Sequence, residues 1–159
     1  MLIVCTTDRT IVRTAQDARS GAPAWGQLVV VDPELSQEGA TDVIEAALGA
    51  LGAADPLCFS AHGNNEEIGD EDDHWTWTYR QIGELLARQA PRYAGKILIH
   101  ACASQIVNFS SNLAVTLERQ GVLAGTWIYG YNRALPADAP FPRPDQLDRQ
   151  VDLQGTRVS

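Results

Sequence analysis

Apolar residues in this chain recur in short runs separated by stretches of helical periodicity. Strand-length runs that are apolar over most of their length occupy residues 2–7, 27–32, 57–61, 96–101 and 122–131. Such runs, rich in Val, Ile and Leu and without alternation, are typical of strands buried on both faces of a parallel sheet. The pattern therefore predicts five central strands.

Amphipathic stretches lie between those runs and predict the helices of an α/β fold. They cover residues 10–20, 41–51, 80–89 and 108–120, with Thr41 as the expected N-cap of the second helix. An alternating segment, residues 75–78, predicts one arm of a surface hairpin. Regular alternation of strand and helix predicts a three-layer α/β/α sandwich on a mostly parallel sheet, with strand order 2-1-3-4-5.

Two parts of the chain differ in composition, although no linker separates them. Residues 1–133 carry the alternating pattern and are predicted to form one α/β domain. Residues 134–159 contain prolines at positions 136, 140, 142 and 144 and are expected to be an irregular tail or to complete the edge of the sheet, with a late strand near residues 151–153. The sequence carries no signal for an oligomeric state.

Charge and cysteine content narrow the classes of partner and the compartment. The 159 residues carry a formal charge of −8, which argues against nucleic acid or an anionic membrane as the partner. Three cysteines form no disulfide framework, and no apolar stretch approaches the roughly 20 residues of a membrane span. No signal-peptide pattern opens the sequence, so we expect a cytoplasmic protein with reduced thiols.

Two residues with nucleophilic and acid–base chemistry stand at strand ends. His62 closes the third predicted strand and Cys102 closes the fourth. Because the carboxyl ends of parallel strands open on one edge of a sheet, we expect both side chains to face one cleft. A thiol beside an imidazole is a candidate nucleophile with its general base. The backbone amides of Gly63 and Cys102 are candidate oxyanion donors.

The stretches around these residues, LCFSAHG at 57–63 and ILIHACAS at 97–104, resemble the caspase-like cysteine peptidases. That superfamily includes caspases, metacaspases, clostripain-type enzymes and CHAT domains, and the chain resembles a small bacterial member. The helix, glycine and strand at 111–129 are similar to the CHAT pattern. The resemblance implies a catalytic dyad of His62 and Cys102. It also implies a substrate pocket that contains His100, where caspases have glutamine, and Arg133 after the fifth strand.

An acidic run at residues 66–73 is best explained as a solvated loop. Some relatives in the superfamily are activated by calcium, which leaves a weak Ca²⁺ site at Glu66, Asp70 and Asp72 as an alternative. The run also favours a basic or small substrate residue before the cut. The histidine and cysteine spacing matches no common zinc motif, so neither a metal nor another cofactor is expected.

These observations together predict a cysteine endopeptidase that cleaves a protein or peptide substrate through an acyl-enzyme. Two alternatives from other classes stay open. One is a catalytically inactive caspase-fold module used for binding or assembly, and the other is a flavodoxin-like binder of a small ligand. No phosphate-binding loop of the GxGxxG or GxxxxGK type occurs in the sequence, which counts against a nucleotide as that ligand.

Overall fold

A computed structural model describes residues 1–102 and 108–159 of the chain. Strands and helices alternate through most of these ranges, with a hairpin inserted after the third strand. In chain order the elements are β1 Leu2–Val4, α1 Arg9–Gln16, a 3₁₀ helix Ala22–Trp25, β2 Leu28–Val30, α2 Gln37–Gly49, β3 Leu57–Ser60, β4 His62–Gly63, β5 Glu67–Gly69, β6 Thr76–Thr78, α3 Tyr79–Gln89, β7 Lys96–His100, α4 Phe109–Gln120, β8 Trp127–Tyr131, a 3₁₀ helix Pro144–Arg149 and β9 Leu153–Arg157.

Six strands form the central sheet in the order β2-β1-β3-β7-β8-β9. Every neighbouring pair is parallel except β8 and β9, which run antiparallel. The predicted α/β class with a mostly parallel sheet is therefore confirmed, and helices on both faces make the molecule consistent with a three-layer sandwich. The edge strand β9 comes from the proline-rich part of the chain.

Each face of the sheet carries its own hydrophobic core. On one face, side chains such as Ile3 and Phe59 pack with the buried sides of α2, α3 and α4. On the other face, Leu2 and Leu98 pack with α1, the 3₁₀ helices and Phe141 of the C-terminal segment. Because successive strand residues point to opposite faces, apolar strands without alternation are what this double burial requires.

The second helix begins earlier than the sequence predicts. Ser36 is its N-cap, with its hydroxyl accepting from Gly39 N at 3.1 Å. Thr41 lies inside the helix, where its Oγ1 donates to the carbonyl of Gln37 at 2.8 Å. The prediction that Thr41 caps the helix is wrong because Ser36 supplies an equivalent cap and the intervening residues tolerate helical geometry.

The hairpin between β3 and β7 is packed into the fold rather than standing on its surface. Strands β4, β5 and β6 form a separate antiparallel sheet. Trp75 and Trp77 are both buried, and their indole N–H groups donate at 2.9 Å to the carbonyl of Leu35 and to Thr41 Oγ1. The predicted hairpin exists, but its tryptophans bury apolar area against the region of α2, so it is not a surface arm.

Candidate active site

The two predicted reactive residues lie at matching positions beyond two neighbouring strands. Strands β3 and β7 pair in parallel with Ser60 opposite His100. His62 and Cys102 each follow that register pair by two residues. Both side chains line one cavity of about 230 Å³ at the carboxyl edge of the sheet. The structure therefore brings the imidazole and the thiol to a common cleft.

A carboxylate that the sequence analysis does not single out holds the imidazole. Asp8 follows β1, and its Oδ2 lies 2.6 Å from His62 Nε2. Its other oxygen caps α1, accepting from Thr10 N at 2.7 Å and from Ile11 N at 3.2 Å. One residue thus fixes both the start of a helix and the orientation of the histidine ring.

The ionisation of Asp8 determines which nitrogen of His62 carries the hydrogen. Burial acts to raise the pKa of the Asp8 carboxyl, but the hydrogen bonds from His62 and from the amides of Ile11 and Thr10 outweigh it and lower the pKa. An ionised carboxylate only accepts, so Nε2–H is the donor. Nδ1 of His62 is then free to take a proton, and the exposed carboxylate of Glu71 lies 3.5 Å from it.

The thiol of Cys102 is engaged by the segment that follows β8. Its Sγ lies 3.2 Å from the carbonyl oxygen of Leu135 and 3.3 Å from the amide nitrogen of the same residue. The carbonyl accepts the S–H hydrogen, while the amide donates to sulfur. A thiol can make both contacts, whereas a thiolate would keep the hydrogen bond from the amide and would be repelled by the carbonyl oxygen.

His100 lies beneath the same segment and is only 4% exposed. Its Nε2 donates to the carbonyl of Pro140 at 3.1 Å, and its ring stacks on Phe141 with centroids 4.2 Å apart. Burial lowers the pKa of His100 to about 4, so the ring is neutral at physiological pH. The space that His100 shares with His62 and Cys102 is a cavity of about 10 Å³, which cannot admit a side chain.

Arg133 lies apart from the two reactive residues. Its guanidinium pairs with Asp152, with Nη2 2.8 Å and Nε 2.9 Å from Oδ2. It stands 5.5 Å from the centroid of the Tyr131 ring and lines a separate cavity of about 200 Å³. The structure thus places His100 beside His62 and Cys102, but it does not gather Arg133 with them.

Gly63 permits a close approach between the two strand ends. It lines the same cavity as His62 and Cys102. A Cβ at this position would lie 2.9 Å from the Cβ of Ala101, closer than carbon atoms normally approach. Glycine is therefore required here by packing, and the proposed oxyanion role of its amide would be additional to that requirement.

The acidic segment is only partly a solvated loop. Glu66 and Asp72 are exposed, as predicted, whereas Asp70 is half-buried. Its Oδ1 accepts from Thr6 Oγ1 at 2.6 Å, from Thr7 N at 2.7 Å and from Thr7 Oγ1 at 3.0 Å, and its Oδ2 accepts from Trp75 N at 3.3 Å. Asp70 thus anchors the hairpin to the end of β1. In residues 1–102 and 108–159, no three His, Cys, Asp or Glu side chains cluster closely enough to hold a metal ion.

Sequence reasoning missed Asp8 and Leu135 for different reasons. Asp8 had a usable signal, because an aspartate directly after the first predicted strand, residues 2–7, opens on the same sheet edge as His62. Leu135 acts through its backbone, which leaves no trace in residue type. The stretch at 97–104 that resembles the caspase-like peptidases around Cys102 includes Ala103 and Ser104, and these two residues lie outside the described ranges.

Comparison with protein-family models and with curated proteins found no match to this chain. None of the helices in the described ranges is both long and apolar enough to cross a membrane.

Proposed function

We propose that this chain is a caspase-like cysteine peptidase in which Cys102 is the nucleophile and His62 is the general base. The single observation that carries the proposal is the cleft shared by His62 and Cys102, in which Asp8 holds Nε2 of His62 and Nδ1 is left to act as the base, with the exposed Glu71 carboxylate 3.5 Å from it. A nucleophile, a base and a residue that orients the base are the parts that acyl transfer requires.

In the proposed reaction, His62 Nδ1 accepts the thiol proton while Sγ attacks the carbonyl carbon of a peptide bond. The negative charge that develops on the carbonyl oxygen is stabilised by the amides of Gly63 and Cys102. His62 returns the proton to the leaving amine as the C–N bond breaks, which yields a thioester. Water, deprotonated by His62, then hydrolyses the thioester and regenerates the thiol. Asp8 stabilises the imidazolium at each step without taking its proton.

The proposal requires a local movement at the thiol. Sγ is hydrogen-bonded to the backbone of Leu135, and residues 135–137 line the cavity of about 10 Å³ beside His100, which is too small for a side chain. Rotation of the Cys102 side chain away from the Leu135 carbonyl would be needed before the S–H could be directed toward His62. Opening of this segment would also be needed before a substrate side chain could enter next to His100.

The same contacts favour one alternative function. A chain whose thiol stays bonded to Leu135 and whose specificity cavity stays filled would be a caspase-fold module that binds or assembles without catalysis. This second candidate predicts no covalent chemistry at Cys102 with substrate-like electrophiles, which separates it from the first.

The test is covalent labelling of the intact chain with a library of peptide acyloxymethyl ketones, followed by mass mapping of the modified residue. We expect labelling at Cys102 that is abolished in Cys102→Ala and slowed about 10²-fold or more in His62→Ala. Absence of labelling across the library, or labelling that survives in His62→Ala at the original rate, would favour the binding module.

Asp8→Asn tests the positioning role without removing the helix cap, because asparagine caps helices about as well as aspartate. We expect it to slow Cys102 labelling at least about tenfold and to change the pH dependence of the labelling rate, since the amide cannot stabilise an imidazolium as a carboxylate does. The matched control is Asp17→Asn, which removes another aspartate at the opposite end of α1. If the melting temperature is unchanged in both variants, the slower labelling of Cys102 in Asp8→Asn is caused by the changed site and not by a loss of stability.

A further inference from the structure

A further cavity opens on the same edge of the sheet, beyond Asp8. It has a volume of about 520 Å³ and lies between α1 and the ends of β1 and β2. Val12, Val30 and Val31 supply its apolar floor, and Arg9 and Arg13 stand on the helix side. We name it the arginine cavity. Its floor residues also pack in the two hydrophobic cores, but the proposed peptidase chemistry makes no use of the cavity.

The two arginines are placed where a negative charge would stabilise them. Arg9 and Arg13 are four residues apart on α1 and therefore lie on one helix face, where like charges repel. Both are exposed, and in the described part of the chain no carboxylate oxygen lies within 4.0 Å of either guanidinium. Guanidinium groups bind carboxylates in paired hydrogen bonds, so an anion bridging the two would relieve this repulsion.

Polar groups elsewhere in the cavity limit what it can bind. Thr6 and Thr7 also line it, but their hydroxyls already donate to Asp70. Glu34 and Asp72 are exposed on its rim and would attract a cation instead. Arg9 and Arg13 share one helix face beside the apolar floor, whereas the two carboxylates come from separate loops. That combination suits an aliphatic stem ending in a carboxylate.

The arginine cavity lies next to the proposed active site. It shares Thr7 and Asp72 with another cavity of about 230 Å³, which is lined by Asp8 and His62 and is distinct from the one that His62 shares with Cys102. Along the chain, Asp8 holds the histidine and the next residue is Arg9. An extended peptide advances about 3.3–3.6 Å per residue, so each further residue of a substrate that follows this edge from His62 past Asp8 brings the chain closer to Arg9.

We propose that the arginine cavity binds the carboxylate of an acidic side chain in a peptide that crosses this edge of the sheet. The proposal rests on the proposed peptidase function, because that function defines the scissile bond relative to which the acidic side chain is placed. The cavity would thus be a distal subsite for glutamate, separate from the filled space beside His100. Glutamate fits better than aspartate because its longer stem can lie on the valine floor while the carboxylate reaches the arginines.

The test is binding rather than catalysis, so that it does not depend on Cys102. The backbone amide resonances of the intact chain are followed by NMR during titration with acetyl-Gly-Glu-Gly-amide, and in parallel with the Gln and Lys analogues, to about 20 mM. We expect the Glu peptide alone to shift amides of residues 6–13 and 30–34. Arg9→Gln combined with Arg13→Gln should weaken binding at least about threefold, and Glu34→Gln should strengthen it.

Arg19→Gln is the matched control, because Arg19 is exposed and lies beyond the end of α1 in an ion pair with Asp17. It should leave binding of the Glu peptide unchanged. Preferred binding of the Lys peptide, equal binding of the Gln peptide, shifts that map elsewhere, or no shifts would each overturn the proposal. A chain that binds the Glu peptide but resists labelling at Cys102 would retain this site while losing the peptidase function, so the two failures are distinguishable.

Discussion

Lowering the pH from about 7.5 to about 5 is expected to destabilise the fold by about 2 kcal/mol through His100. The ring is buried between the Pro140 carbonyl and Phe141, and burial lowers its pKa from 6.5 to about 4. The folded pKa is below the unfolded one, so the unfolded chain binds the proton first. The contribution of the neutral His100 ring to the free energy of unfolding is complete above the unfolded pKa, and it is lost as the pH falls through the window from about 6.5 to about 4.

The magnitude follows from the width of that window. A difference of about 2.5 pH units at about 1.36 kcal/mol per unit limits the total loss to about 3 kcal/mol. About 2 kcal/mol of this falls between about pH 7.5 and about pH 5, because the unfolded histidine is almost fully protonated at the lower value while the folded one is not.

The assay is urea denaturation followed by tryptophan fluorescence at both pH values, for the natural chain and for His100→Gln. Glutamine keeps an N–H donor for the Pro140 carbonyl but does not titrate. The exposed His74 and the Asp8–His62 pair are common to both chains and cancel in the comparison. We expect the change in the free energy of unfolding between the two pH values to be about 2 kcal/mol smaller in the variant than in the natural chain. An unchanged difference would refute the assignment of a depressed pKa to His100.

Two further predictions concern the site itself. Cys102 should alkylate with iodoacetamide near neutral pH at least about tenfold faster than Cys5 or Cys58. Those two thiols are fully buried, and burial raises the pKa of Cys58 and raises that of Cys5 to about 12. Peptide mapping of the alkylated protein measures the rates, and equal rates would count against a reactive thiol at Cys102. Gly63→Ala should cost about 1–3 kcal/mol in urea denaturation and slow the labelling of Cys102, because the new methyl group would press on Ala101. Gly39→Ala, where the nearest atom to a new Cβ is 3.4 Å away, is its control, and equal stabilities of the two variants would contradict the packing argument.

The placement of His62 and Cys102 could be predicted from local pattern alone. Apolar runs of strand length mark where β3 and β7 lie, and both reactive residues follow those runs directly. Parallel strands of one sheet bring their carboxyl ends to one edge, and the predicted strand order makes these two strands neighbours. The α/β class and the common cleft therefore follow from periodicity and from the positions of two residues.

Boundaries set by local competition were less predictable. Ser36 and Thr41 are both acceptable N-caps by residue type, and only the folded chain shows that the helix starts at the earlier one. Similarly, the alternation of residues 75–78 predicts a hairpin, but the burial of Trp75 and Trp77 depends on how that hairpin packs against α2. Propensity describes a segment by itself, whereas burial depends on its neighbours in space.

The contacts that decide the chemistry were set only by the tertiary structure. Asp8 meets His62 across 54 positions of sequence, and Leu135 meets Cys102 across 33. His100 is neutral because the fold buries it beneath the segment that contains Pro140 and Phe141, although strand position alone would leave it open to a substrate pocket. The sequence by itself determined the periodicity of each element and thus which residues end the strands. Partners distant in sequence meet only when the sheet order and the packing of its faces are established, and a hydrogen bond or a pKa depends on those partners.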